Sequence, residues 1–207
     1  MPQPFDLSSQ CILVTGASSG IGRATARVLG SLGARVVLSG RREDALHATL
    51  QSMDNRERHY VSSFDLNNGD AIASWIDGLC MKEGLRLNGF VHAAGIAGRV
   101  PIRALNQKHL QALLDIHVIA TLQLIRAVSA KANMAESGGA FVLLSSVAAL
   151  TAAPGLITYG AAKAALHSIA RTAAQELAPK RIRVNCLAPA YVETPMLKAA
   201  QKDLPGD

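Results

Sequence analysis

The chain has 207 residues, 49% of them hydrophobic and 17% charged, which is ample apolar material for a core and the wrong balance for a disordered polymer. Lys and Arg outnumber Asp and Glu by 21 to 15, and the surplus is scattered apart from Arg41-Arg42 and Lys180-Arg181-Arg183. That pattern suits a small anionic ligand and offers no track for nucleic acid. With 4% aromatics, the chain lacks both a stacking platform for single strands and the girdles of a membrane barrel.

Three cysteines, Cys11, Cys80 and Cys186, stand at wide spacings that fit neither a disulfide framework nor a zinc site, so a reducing cytoplasm is the expected compartment. No His spacing suggests a metal site. The N-terminus has Asp6 and no basic region followed by an apolar one, so no signal peptide is expected. Residues 137–162 carry no charge, but Gly138-Gly139, Ser145-Ser146 and Pro154-Gly155 divide them, and a membrane span is not expected there.

Short apolar, β-branched runs alternate with helical periodicity, the pattern of βαβ units around a parallel sheet buried on both faces. Strands are predicted at Cys11–Thr15, Arg35–Ser39, His59–Ser63, Gly89–His92, Ala140–Leu144 and Arg183–Leu187. Helices are predicted at Gly20–Ser31, Glu43–Met53, Gly69–Lys82, Asn106–Asn133 and Ile157–Leu177. The expected fold is a doubly wound α/β Rossmann sheet of six parallel strands, one domain over residues 1–207, with helices on both faces. Tyr191–Asp207 has no strand signal.

Thr15-Gly16-Ala17-Ser18-Ser19-Gly20-Ile21-Gly22 follows the first strand and opens the first helix. Gly16 permits a tight turn, Gly20 lets backbone approach a pyrophosphate, and Gly22 permits close contact between helix and sheet, while the helix N-terminus favours an anion. Ser18, Ser19 and Ile21 complete this dinucleotide loop. No Gly-Lys-Ser/Thr closes it, which sets nucleotide hydrolysis aside. After the second strand, Gly40 leaves space and Arg41 offers an always-charged fork for a 2′-phosphate, with Arg42 as a second candidate. NADP(H) is therefore expected over NAD(H).

Tyr159 and Lys163 are four residues apart on a predicted helix and share a face. A phenol ionises near pH 10 (about 10 in isolation), and an adjacent ammonium with a cationic nicotinamide would favour its anion, bringing Tyr159 toward general acid/base work. Ser146, just past the fifth strand, stands at the ligand edge of such a sheet and could hydrogen-bond a carbonyl.

Together these residues resemble the short-chain dehydrogenase/reductase family, and 3-oxoacyl-carrier-protein-reductase-like members of it in particular. The resemblance runs from about Leu7 to Met196. It rests on the TGASSGIG loop, Asp65-Leu66, Ala94-Gly95, the Ser146 to Tyr159 separation, Tyr159-Gly160-Ala161-Ala162-Lys163, Ile182-Arg183-Val184-Asn185, and Pro189 with Thr194. It implies that Ser146 polarises a carbonyl, that Tyr159 transfers the proton, and that Lys163 holds the nicotinamide ribose while lowering the tyrosine pKa. Asp65 would face adenine and Thr194 the carboxamide, with Leu66, Ala94, Gly95, Pro189 and Val192 completing the cofactor contacts. The family serine is Ser146, which leaves Ser145 a structural role.

The implied activity is interconversion of a carbonyl and a secondary alcohol with NADP(H). The alternative is a cofactor-binding module with little catalysis, suggested by His117 and the absent lid. The family's catalytic asparagine reads His117, its Asn-Asn-Ala-Gly reads His92-Ala93-Ala94-Gly95, and the sequence ends before the usual lid and seventh strand. It is then either a fragment or a six-stranded protein with an open pocket. His117 is tolerable if the position works through its backbone carbonyl and a water. His47, His59, His109 and His167 are expected to be satisfied core histidines. The segments Asn106–Asn133 and Ala161–Ala174 resemble those through which relatives associate, so a homodimer or homotetramer is expected.

Overall fold

The apolar runs pair into one parallel six-stranded sheet in the order β3-β2-β1-β4-β5-β6. The strands are β1 (Cys11–Thr15), β2 (Arg35–Gly40), β3 (Tyr60–Ser63), β4 (Gly89–His92), β5 (Gly139–Leu144) and β6 (Ile182–Leu187). The structure is a computed structural model describing residues 5–202. Its helices are α1 (Gly20–Ser31), α2 (Glu43–Gln51), α3 (Ile72–Glu83), α4 (Gln107–Leu114), α5 (Ala120–Val128), α6 (Ile157–Leu177) and α7 (Pro195–Lys202). The strand order reverses between β1 and β4, so the crevice at the C-terminal ends of these strands is where a ligand is received. There Thr15 lies beside Ser39 on one flank and His92 on the other.

Both faces of the central strands are covered, which is why they read as continuous apolar runs. Leu13, Val37, Phe90, Phe141 and Leu143 pack with Ile72, Ile76, Leu124 and Leu177, from α3, α5 and α6. The Phe90 and Phe141 rings stack with centroids 4.5 Å apart. On the other face Val14, Val36, Leu38 and Val91 meet Ala26 and Leu46, from α1 and α2. The edge strand β6 alternates instead: Ile182 and Val184 are buried, whereas Arg183, Asn185 and Leu187 are exposed, so among the described residues only one of its faces is covered.

Four of the differences from expectation have physical reasons, and the other element ends fall within one residue of those expected. β3 starts at Tyr60 because the His59 imidazole replaces backbone pairing, its Nδ1 accepting from the Val36 N–H at 3.2 Å. α2 ends at Gln51, and Ser52 caps it with N–H bonds to Leu50 and Thr49. The predicted Gly69 start is a short 3-10 turn, Gly69–Ala71, before α3. The long predicted helix over Asn106–Asn133 is split: α4 and α5 are joined by a π turn, Asp115–Ile119, and α5 stops at Val128. Asn133 lies beyond it, donating to Asp77 Oδ1 at 2.6 Å and to the Ala127 carbonyl at 2.9 Å.

The stretch Gln107–Val128 is long and apolar enough to cross a membrane, with mean hydropathy 1.3, yet Leu113, Ile116, Ala120, Leu124 and Val128 are buried in the core. The uncharged run 137–162 becomes β5, a loop and the start of α6. α7 had a readable signal that periodicity alone passed over: Thr194 Oγ1 accepts from the Leu197 N–H at 3.2 Å and Pro195 takes the first helical position, an N-cap followed by proline.

Candidate active site

A cleft of about 1490 Å³ opens along the C-terminal edge of the sheet, larger than a typical drug-sized pocket of roughly 300–1,000 Å³. Its floor at one end is the glycine loop. Gly16 has φ +69°, and a Cβ there would stand 2.6 Å from the Ala94 nitrogen, so only glycine lets the β1 turn lie against Ala94-Gly95. Ser19 caps α1 without a side-chain bond, which leaves the first-turn N–H groups free for an anion. Arg23 and Thr49 brace this loop. Arg23 donates to the Ser18 carbonyl at 2.5 Å and to Thr49 Oγ1 at 3.0 Å, and Thr49 Oγ1 donates to the Ala17 carbonyl at 2.9 Å. No motif announced that pair, because the contact spans from α1 to α2.

Arg41 and Arg42 stand exposed at the rim after β2, next to Gly40. Asp65 and Leu66 follow β3 on the same wall, the Asp65 carboxylate accepting from the Asn67 N–H at 3.1 Å. Pro189, Val192 and Thr194 form the opposite lip. Thr194 sits directly over the loop, since a Cβ added at Gly20 would lie 3.1 Å from its Cγ2.

At the other end of the cleft α6 presents Tyr159 and Lys163 one turn apart, with Ser146 and His117 facing them. Lys163 is buried, and its Nζ donates to the Leu144 carbonyl at 2.6 Å while standing 5.7 Å from the Tyr159 ring centroid. The His117 ring meets the Tyr159 ring edge-on, centroids 5.7 Å apart at 84°. Its Nε2 donates to the Ile96 carbonyl at 3.0 Å, and its buried Nδ1 has no hydrogen-bond partner. A Cβ at Gly95 would collide with that ring, so Gly95 is what admits histidine at position 117. Every candidate residue from the sequence therefore lines one cleft.

Ser145 is structural, as expected. Its Oγ donates to the Lys163 carbonyl at 2.8 Å and meets His167 Nε2 at 2.9 Å, tying β5 to α6. Ser146 Oγ accepts from the Ala148 N–H at 3.2 Å and so caps the turn that aims it at the cleft. Of the four histidines expected in the core, only His59 is there. His47 is exposed beside Glu43 on α2, and His109 and His167 are half-buried.

Residues 10–205 match the short chain dehydrogenase family. The chain belongs to that family.

This short-chain dehydrogenase is 31% identical to the short-chain dehydrogenase/reductase aba4 of Botryotinia fuckeliana, over 98% of its own length and 78% of the relative's. It is 28% identical to the 3-oxoacyl-[acyl-carrier-protein] reductase FabG of Chlamydia muridarum, with 96% and 80% covered. A metagenomic short-chain oxidoreductase solved in complex with NADP superposes with TM-score 0.82 at 34% identity, covering 89% of this chain and 83% of that one. The protein is thus an NAD(P)-dependent dehydrogenase/reductase built on a Rossmann sheet.

The charges in this short-chain dehydrogenase's cleft are set chiefly by burial. Burial lowers Lys163 to about 8, against which the Cys186 thiol acts only weakly. Burial also raises Tyr159, and the Ser146 hydroxyl partly offsets it. The expected downward pull of Lys163 on Tyr159 is not among the influences on this phenol, where burial leads and only the Ser146 hydroxyl opposes it. Burial first and Lys163 second push His92 down to about 4 and His117 to about 3, so both imidazoles are neutral.

Proposed function

We propose that this chain is an NADP(H)-dependent oxidoreductase interconverting a carbonyl and a secondary alcohol, with Tyr159 as general acid/base. The observation that carries the reading is the convergence of Ser146, Tyr159 and Lys163 on the cleft wall that continues from the glycine loop. The nicotinamide, when bound, supplies hydride to the substrate carbon or takes it away. Tyr159 delivers its phenolic proton to the carbonyl oxygen in reduction and removes it from the alcohol in oxidation. Ser146 Oγ donates to the same oxygen and stabilises the charge that grows there. Lys163, charged below about pH 8, holds the nicotinamide ribose and stabilises the tyrosine anion once substrate and cofactor have closed out water.

The glycine-loop N–H groups receive the pyrophosphate, Asp65 faces the adenine, and Thr194 faces the carboxamide. Arg41 pairs with the 2′-phosphate, supported by Gly40 and by the absence of an acid at the end of β2. NADPH is expected to bind more tightly than NADH, with Arg41→Ala erasing most of the difference. Loss of a charge-assisted phosphate contact costs roughly 1.5–3 kcal/mol, about tenfold or more in affinity. Calorimetric titration of both nucleotides measures it, and equal affinities in the parent protein overturn it. A carbonyl panel with NADPH separates the enzyme from a binding module, which would retain nucleotide affinity and show no turnover.

Assembly follows from the outer faces of the same helices. Leu114, Ile119 and Leu122 are 39%, 41% and 46% exposed, and α6 exposes small residues such as Ala161 and Ala164. An apolar face of this kind is suited to a two-fold, isologous contact, and a homodimer or homotetramer is the expected state. Light scattering over a dilution series from tens of micromolar reads it, and a monomer mass throughout contradicts it. The three thiols are free, with Cys11 and Cys80 pushed by burial to about 11, which suits a reducing cytoplasm.

A further inference from the structure

His92 lies behind the cleft, 2% exposed, at the end of β4, and its hydrogen bonds have only one consistent direction. The Ala94 N–H donates to Thr15 Oγ1 at 3.3 Å. That leaves the Thr15 hydroxyl hydrogen available to His92 Nδ1, 2.8 Å away. With Nδ1 accepting, the neutral ring carries its proton on Nε2, and that N–H points at the Ile116 carbonyl at 3.2 Å. A carbonyl can only accept, so the two ends of the imidazole agree on the tautomer.

The recipient carbonyl is a special one. In a continuous α-helix the Ala120 N–H would bond to Ile116; here it bonds to Asp115, five residues back. The widened turn removes that partner from the Ile116 carbonyl, and His92 supplies a donor in its place. The next carbonyl, His117, receives Thr121 Oγ1 at 2.6 Å. The extra residue in the turn also rotates position 117 inward, where its Nε2 reaches Ile96 and its ring meets Tyr159. Closing the turn to regular α geometry would swing His117 by about 100° around the helix axis and out of the cleft.

We propose that His92 is a positioning residue: as its Nε2–H tautomer, braced by Thr15, it holds the π turn open and thereby sets His117 against Tyr159. It touches neither substrate nor cofactor and is absent from the cleft wall. The inference deepens the proposed function only in its consequence for rate; the geometry itself is testable without turnover.

The test is long-range proton–nitrogen correlation NMR on the full 15N-labelled chain at pH 7, with assignment by substitution. Both imidazoles are expected as neutral Nε2–H tautomers. His92→Gln places an N–H near the Nε2 position and should retain the His117 pattern, whereas His92→Asn still reaches Thr15 but not Ile116 and should lose it. Thr15→Val, nearly isosteric, should convert His92 to a mixture of tautomers without unfolding the sheet. Where a carbonyl of the NADPH panel is turned over, the Asn variant should lose kcat by up to about 10²-fold, the scale of an ångström's misplacement, with NADPH affinity within about twofold. An Nδ1–H tautomer at His92 overturns the proposal. So does a His117 pattern identical in the Gln and Asn variants, whatever their melting temperatures. Absence of turnover in the parent chain with these NMR patterns intact would count against the Tyr159 chemistry alone.

Discussion

Tyr159→Phe is expected to lower kcat for NADPH-linked carbonyl reduction by about 10²–10⁴-fold, the usual worth of general acid catalysis, while NADPH affinity stays within about twofold. The ring and its edge contact with His117 remain; only the ionisable hydroxyl goes. Lys163→Met should damage both quantities, since that ammonium both anchors the ribose and stabilises the phenolate. It also leaves the Leu144 carbonyl without its donor. In the parent protein NADPH affinity should weaken as pH rises through about 8, where Lys163 loses its charge, and the Met variant should lack that dependence. Ser146→Ala should act mainly on kcat. Steady-state rates at saturating NADPH, set beside fluorescence titration of the nucleotide, separate these effects. A Phe variant retaining more than about a tenth of the rate would remove Tyr159 from its role. His117→Asn is the companion: a higher kcat marks histidine as a weakened relay, and an unchanged one assigns the position to its backbone.

The second large effect is on stability in acid. His92 and His117 have folded pKa values of about 4 and about 3 against an ordinary 6.5, so the native protein keeps both neutral while the unfolded chain takes up protons below 6.5. Stability from these groups is fully present above that value and is lost as pH falls toward 4 and then 3. At pH 4 the His92 share alone is roughly 3 kcal/mol, at about 1.4 kcal/mol per pH unit. That is a large part of the roughly 5–15 kcal/mol that domains possess. His59, lowered mainly by burial, pulls in the same direction. The His92 share alone should lower the melting temperature by about 6–12 °C between pH 7 and pH 4, at roughly 2–4 °C per kcal/mol, and His117 adds to that fall. A His92→Gln/His117→Asn double variant should show a much flatter profile by calorimetry. Equal slopes in the two proteins would place the acid sensitivity elsewhere.

Much of the cleft was legible because its chemistry sits on contiguous segments. A glycine loop, a Tyr and a Lys four residues apart, and a serine just after a strand each need only local geometry. A parallel sheet then brings the strand ends to one edge whatever the details. α7 was legible too, through Thr194-Pro195, although no apolar periodicity called attention to it. By contrast, the Arg23–Thr49 brace and the late start of β3 depend on hydrogen-bond partners more than twenty residues apart in sequence.

The sequence by itself determined the alternation of strand and helix, the dinucleotide loop, and the identity of Ser146, Tyr159, Lys163 and His117 as candidates, because hydrophobic period and backbone permissiveness act over a few residues. Only the tertiary structure decided how those candidates are charged and aimed. Burial, rather than the neighbouring Lys163, is the largest influence on Tyr159. The long helix opened into a π turn, with a histidine from β4 supplying a donor to the Ile116 carbonyl. His92 and Thr15 are 77 positions apart, and no local pattern can assign a proton to one nitrogen of a ring. That choice belongs to the partners folding places on either side of it, where an imidazole nitrogen facing a carbonyl must carry the proton.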